Sequence, residues 1–189
     1  YDKKYHGPVR ARTALACSYN IPAVRLLWGL GVSRLHERLL LAGLSSLTEP
    51  SGHYGYGLTL GNADVRLLEL TAAYASLANG GMWKPWKLVE SLQSLNEPPV
   101  EPFLTQHSVH RVFDERTAFL VTDILSDQAA RRPAFGNAFR FPFPCAVKTG
   151  TTKDYRDNWT VGYTSEFTVG VWAGNFDGKA MRGVSGITG

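Results

Sequence analysis

The chain has 189 residues, 44% hydrophobic and 19% charged, the composition of a globular domain long enough to bury a core. Its 20 lysines and arginines against 16 aspartates and glutamates leave a net charge of +4, scattered rather than clustered, so no nucleic-acid footprint is present. No window holds the ~18 uninterrupted apolar residues of a membrane span, and Cys17 and Cys145 form neither a CxxC nor a metal spacing and read as two half-buried thiols.

In chain order, "VRARTALAC" (9–17) has helical composition and stops at "SYNIP". Pro22 suits the first turn of a second helix, where its missing N–H is no loss. "AVRLLWGLG" and "SRLHERLLLAGL" follow as two short helices, with Gly31 and Gly43 as stops and Ser33 as an N-cap. Residues 45–63, rich in Gly, Ser and Pro, read as loop. "DVRLLELTAAYASLANGG" is the clearest helix. It is apolar nearly all round, so it is expected between layers, with Asp64 capping its start and Asn79-Gly80-Gly81 ending it.

"WKPWKLVESL" (83–92) and "SVHRVF" (108–113) read as strands, separated by the proline-rich "NEPPVEPF". "DERTAFLVTDILSD" reads as an amphipathic helix capped by Asp114, and residues 128–144 as a long basic and aromatic loop. Three strands close the chain: 145–151, "NWTVGYT" and "FTVGVWAGN". Short turns join them, which points to antiparallel pairing. Helices first and an antiparallel sheet later make an α+β domain. The chain starts without an initiator methionine and stops without a closing element, so a piece of a longer protein is expected.

Two short constellations carry chemistry. The first is Lys148-Thr149-Gly150-Thr151 at the edge of a strand. Gly150 lets a substrate backbone lie close, and the Thr151 N–H can face a developing oxyanion. An exposed edge strand guarded by a lysine looks the same. The second is Ser18-Tyr19-Asn20, between two helices, where Ser and Asn are also ordinary cap and turn residues. Each triplet alone is weak. Together, in this order, they match two of the three motifs of class A β-lactamases and penicillin-binding proteins.

Longer blocks share the pattern. "GPVRARTALACSYNIPAVRLL", "YGLTLGNADVRLLELTAAYASLANGG" and "KTGTTKDYRDNWTVGYT", with the spacing between them, cover most of the chain. On these the chain resembles the transpeptidase domain of class A penicillin-binding proteins, most of all the penicillin-binding protein 1C type. The resemblance implies a serine β-lactamase/DD-peptidase-like α+β fold with its N-terminal part missing. Residues 1–189 would be the C-terminal two-thirds of that domain, with helices over about 9–126 and sheet strands over about 145–175. It also implies a serine acyl-enzyme that cross-links peptidoglycan stem peptides at their D-Ala-D-Ala end and is acylated by β-lactams.

By the same resemblance, Ser18 and Lys148 are catalytic and Ser18 relays a proton. Asn20, Thr149, Gly150 and Thr151 bind substrate: Asn20 holds an amide, Lys148 and Thr149 the terminal carboxylate, Gly150 gives room, and Thr151 supplies an oxyanion N–H. No cofactor or metal is implied, and no nucleic-acid partner. Contact with membrane comes only through an upstream anchor, at the periplasmic face of the bacterial inner membrane.

The departure is the nucleophile. None of the twelve serines has a lysine three residues on, so no S-x-x-K is present. The nucleophile is expected upstream, and residues 1–189 alone are expected to be inactive, to expose apolar surface and to be poorly packed. A serine β-lactamase or DD-carboxypeptidase, and a non-catalytic peptidoglycan-binding module, remain open as rivals.

Other signals are weaker. Gly55 and Gly57 lack the third glycine of a dinucleotide fingerprint, the place being Leu60. The histidines form no HExxH, and His107 and His110 read as surface. The five tryptophans read as core, with Trp83 and Trp86, beside Lys84 and Lys87, as a contact surface to watch.

Overall fold

The computed structural model describes residues 7–89, 91, 108–152 and 155–181. Helices α1 (Ala11–Ala16), α2 (Asn20–Leu30) and α3 (Val32–Leu41) come first, then a short α4 (Ser51–Tyr54) with a 3-10 turn over Gly55–Leu60. The longer α5 (Leu67–Ala78) leads to a small ribbon, β1 (Met82–Trp83) with β2 (His110–Arg111). Then come α6 (Glu115–Ser126), α7 (Gln128–Phe135) and strands β3 (Ala146–Thr151), β4 (Asp157–Tyr163) and β5 (Thr168–Gly174). The last three form an antiparallel sheet in the order β3-β4-β5. This is the α+β arrangement expected from the sequence.

Two apolar clusters hold the helices to the strands. Ala42, Leu44, Leu47, Trp83 and Val112 form one, under the ribbon; Leu125, Ala146 and Tyr163 form the other, under the sheet. Helix α5 joins them, giving Leu70 and Ala73 to the first and Tyr74 and Leu77 to the second. That is why its sequence is apolar on more than one face. Its opening Leu67 and Leu68 are nevertheless exposed. The helix crosses β5 closely: a Cβ on Gly170 would sit 2.0 Å from the Thr71 hydroxyl, so only glycine lets α5 approach there. Gly81 is demanded by the turn into β1. Its φ is +89°, and an added Cβ would lie 2.1 Å from the Phe113 carbonyl oxygen.

Glu69 is buried, and its carboxylate pins the 44–48 segment onto α5. It accepts from the Ser45 hydroxyl at 2.7 Å, the Ser46 hydroxyl at 2.6 Å and the Ser46 amide at 3.1 Å. Burial pushes its pKa up, but the bonds from Ser46, Ser45 and Arg66 outweigh that and hold it below the usual carboxylate value.

Several expectations are corrected. Ser33 is the second residue of α3 and does not cap it; its hydroxyl lies 3.0 Å from that of Ser51. Asp64 does not cap α5, because Ala63 and Val65 are drawn onto the first cluster and the helix starts only at Leu67. Residues 51–60 are helical turns rather than loop. Among the described residues of 83–92 only Trp83 is in a strand, since Pro85 has no N–H for a ladder; residues 90 and 92–107, with "NEPPVEPF" and His107, lie outside the described residues.

The loop expected over 128–144 begins with α7. Asp127 caps it by accepting from the Ala130 amide at 2.9 Å, and Pro133, inside the helix, has no N–H to return to the Ala129 carbonyl. Among the tryptophans Trp83 is buried, whereas Trp28 and Trp86 are exposed and Trp159 and Trp172 are half-buried. Cys17 is fully buried rather than half-buried. Large apolar side chains stand exposed on α2 (Ile21, Leu26, Trp28), on the outer face of β5 (Val169, Val171) and at Phe167 just before it.

Candidate active site

Helix α1 is six residues long and ends in a tight reversal. The Ser18 amide donates to the Leu15 carbonyl at 3.1 Å and the Tyr19 amide to the Ala14 carbonyl at 2.9 Å. Such a helix end puts one residue in the left-handed region, usually a glycine. Here that residue is Ser18, with φ +57°. A serine held there costs about 1 kcal/mol relative to ordinary backbone. The cost is offset by what the position does: it aims the hydroxyl across the fold at β3.

The Lys148 Nζ lies 2.6 Å from the Ser18 Oγ and 2.7 Å from the Thr149 carbonyl oxygen. Among the described residues Lys148 has no carboxylate in salt-bridge contact. Burial therefore acts on the ammonium without an opposing anion, and its pKa falls to about 8. A neutral Lys148 can donate to the Thr149 carbonyl and accept the Ser18 proton. Two residues 130 apart in sequence are thus one hydrogen-bonded pair.

Strand β3 has one neighbour, β4, so among the described residues its other edge is open. The Thr152 amide donates to the Asp157 carbonyl at 3.2 Å, towards β4. Antiparallel ladders alternate, so Gly150 and Lys148 also point their backbone groups inward. Thr149 and Thr151 point theirs at the open edge. The Thr151 N–H therefore faces outward, where an incoming carbonyl could meet it. By strand alternation the Thr149 side chain projects to the opposite sheet face from Lys148. At Gly150 an added Cβ would meet only the Trp159 Cβ, at 3.4 Å, an ordinary contact. Neither sterics nor backbone conformation within the chain requires glycine there. Asn20 opens α2 and is exposed, with no hydrogen bond to β3 among the described residues.

The sequence reading missed what holds this pair in place. Arg12 bridges α1 to Asp123 at 2.5 Å and to Asp127 at 3.1 Å. The Cys17 thiol donates to the Ala130 carbonyl at 3.2 Å, tying α1 to α7. Arg131 of α7 is buried beside Val147 and Lys148, its guanidinium donating to the Leu125 carbonyl. Desolvation lowers its pKa. The available signal was Asp127 followed by "QAARR", a capped helix start that Pro133 masked. No cluster of three or more metal-ligating side chains occurs among the described residues, and no helix there is long and apolar enough to cross a membrane.

Residues 1–185 match the family model of the penicillin binding protein transpeptidase domain. The chain is 32% identical to penicillin-binding protein 1C of Escherichia coli over 99% of its own length and 22% of the relative's. To penicillin-binding protein 1A/1B of Bacillus subtilis it is also 32% identical, over 96% of this chain and 21% of that protein. The chain thus spans about a fifth of the length of these relatives. Among solved structures, PonA1 of Mycobacterium tuberculosis in complex with penicillin V superposes with a TM-score of 0.77 at 24% identity, over 93% of this chain and 50% of that one. Penicillin-binding protein 1A of Haemophilus influenzae gives a TM-score of 0.75 at 21% identity, over 98% and 33%. A family match over nearly the whole chain, the fold of these structures and the Ser18–Lys148 pair agree: the chain belongs to the transpeptidase domain family of class A penicillin-binding proteins.

Proposed function

We propose that this chain is the greater part of a D,D-transpeptidase domain that cross-links peptidoglycan stem peptides, within a membrane-anchored synthase at the periplasmic face of the bacterial inner membrane. The observation that carries the reading is the 2.6 Å contact between the Lys148 Nζ and the Ser18 Oγ beside an open strand edge. In this reading a serine of an upstream S-x-x-K attacks the penultimate D-Ala carbonyl. Ser18 and Lys148 relay the proton towards the departing D-Ala. The outward Thr151 N–H stabilises the oxyanion. Gly150 leaves room for the substrate backbone, Lys148 and the Thr149 hydroxyl, brought round by strand twist at the open edge, hold its terminal carboxylate, and Asn20 holds an amide. β-Lactams, as mimics of the D-Ala-D-Ala end, acylate the same upstream serine. Residues 1–189 alone carry the relay and the binding edge, and they do not cross-link.

The test is intact mass after incubation with a penicillin, run on residues 1–189 and on a chain extended upstream through the S-x-x-K helix. One penicilloyl adduct on the extended chain only is the expected result. No adduct on a folded extended chain would overturn the reading in favour of a non-catalytic binding module. Rapid release of the adduct would point to a β-lactamase instead.

A further inference from the structure

The hydrogen bond that makes Ser18 a relay also makes it a nucleophile. A hydroxyl that can hand its proton to a neighbouring amine gains electron density on oxygen as the proton leaves. Ser18 has three features of an activated serine. Its Oγ is 2.6 Å from the Lys148 Nζ. Its backbone is held left-handed, which presents the side chain at a sharp turn. Its residue is only partly buried, so a small reagent can reach it. Helix α2, eleven residues long, opens two positions later with no side-chain cap. The Asn20 and Ile21 amides in its first turn have no intrahelical acceptor, and Pro22 has no N–H to offer.

We propose that Ser18 and Lys148 form a serine–lysine dyad that takes an acyl group from small activated aryl esters, an activity separate from the transpeptidase reading and needing no upstream serine. The Ser18 proton moves to the lone pair of the neutral Lys148 amine. The Ser18 Oγ forms the new bond to the acyl carbon, and the bond from that carbon to the aryloxide breaks. The aryloxide leaves with the electron pair, and the Lys148 ammonium returns its proton to solvent. The product is an ester on Ser18.

The probe is p-nitrophenyl acetate, applied to residues 1–189 and to the upstream-extended chain whose S-x-x-K serine is replaced by alanine. The expected result is one acetyl group mapped to Ser18 by peptide mass spectrometry, with a matching burst of nitrophenolate. Ser18→Ala and Lys148→Met each remove the burst. The pH profile separates a dyad from chance reactivity. With Lys148 titrating at about 8, the rate rises about tenfold from pH 7 to pH 9 and then levels, whereas attack driven by solvent hydroxide climbs about a hundredfold.

Acetyl groups spread over lysines, acetyl on Lys148 that persists in Ser18→Ala, or a hundredfold rise would each overturn the dyad. The two readings fail separately. If penicillin labels the intact extended chain but the ester leaves Ser18 untouched, the dyad falls and the transpeptidase reading stands. If the ester labels Ser18 and penicillin labels nothing, the reverse holds.

Discussion

Replacing Ser18 by glycine and by alanine isolates the backbone term at this position. Both substitutions remove the hydroxyl and its 2.6 Å bond to Lys148 equally, so that loss cancels in the comparison. They differ only by a Cβ. In most of a protein alanine is the more stable of the two, because glycine loses more freedom on folding. At φ +57° the order reverses, since a Cβ there crowds the carbonyl oxygen by about 1–2 kcal/mol. The Ser18→Gly protein should therefore be more stable than Ser18→Ala by about 1 kcal/mol. For a domain of this size that is a difference of about 2–4 °C in Tm. The assay is guanidinium unfolding of the two variants in the upstream-extended chain, read by circular dichroism, with penicilloylation followed in parallel. Both variants should acylate slowly, so the more stable one gains no activity. If Ser18→Ala matches or exceeds Ser18→Gly in stability, the serine is not held left-handed, and the strain assigned to its aiming is wrong.

Gly150→Ala should unfold within about 0.5 kcal/mol of the parent, because the added methyl meets only an ordinary contact with Trp159, yet its penicilloylation rate should fall at least about tenfold. Equal loss of stability and activity would mean the glycine serves the fold. Glu69→Gln weakens three bonds that a carboxylate accepts from Ser45 and Ser46, and should cost about 2–3 kcal/mol in denaturant unfolding; a neutral outcome would remove Glu69 as the anchor of the 44–48 segment. The His110 ring nitrogens face the Leu41 and Ser108 carbonyls at 2.8 and 2.9 Å, and only the imidazolium donates to both. Those two bonds raise its pKa, so its stabilising contribution is complete below the unfolded value near 6.5 and disappears as pH rises through the folded value. His110→Asn should flatten the stability profile in that window, and an unchanged slope would contradict the assignment.

The parts legible in the sequence are those whose cause is local. The Asp114 cap of α6, the glycine after α2 and the three alternating strands each rest on residues within a few positions of one another. The failures share the opposite property. Asp64 is a good cap by rank, but Val65 beside it is claimed by a cluster that includes Trp83 and Val112, and the cluster wins. Helix α7 exists because Cys17, Arg12 and Leu125 give its first turns partners, and none of these is nearby in sequence except Leu125.

The Ser18–Lys148 contact is long-range too, yet both residues stand out in the sequence, for a different reason. A serine tolerated at a left-handed helix end and a lysine buried with no carboxylate partner among the described residues are both unfavourable choices for folding. A fold under no other demand would place glycine at the first and an apolar residue at the second. Their joint presence, 130 residues apart, is accounted for by the contact they make with each other. Arg131 shows where that logic stops. It is buried beside the same strand, and Nη1 of its guanidinium has no hydrogen-bond partner among the described residues. Yet in sequence it is one arginine in a basic run. A costly residue is legible when it sits in a recognisable triplet, and silent when only the packed structure reveals that it is buried.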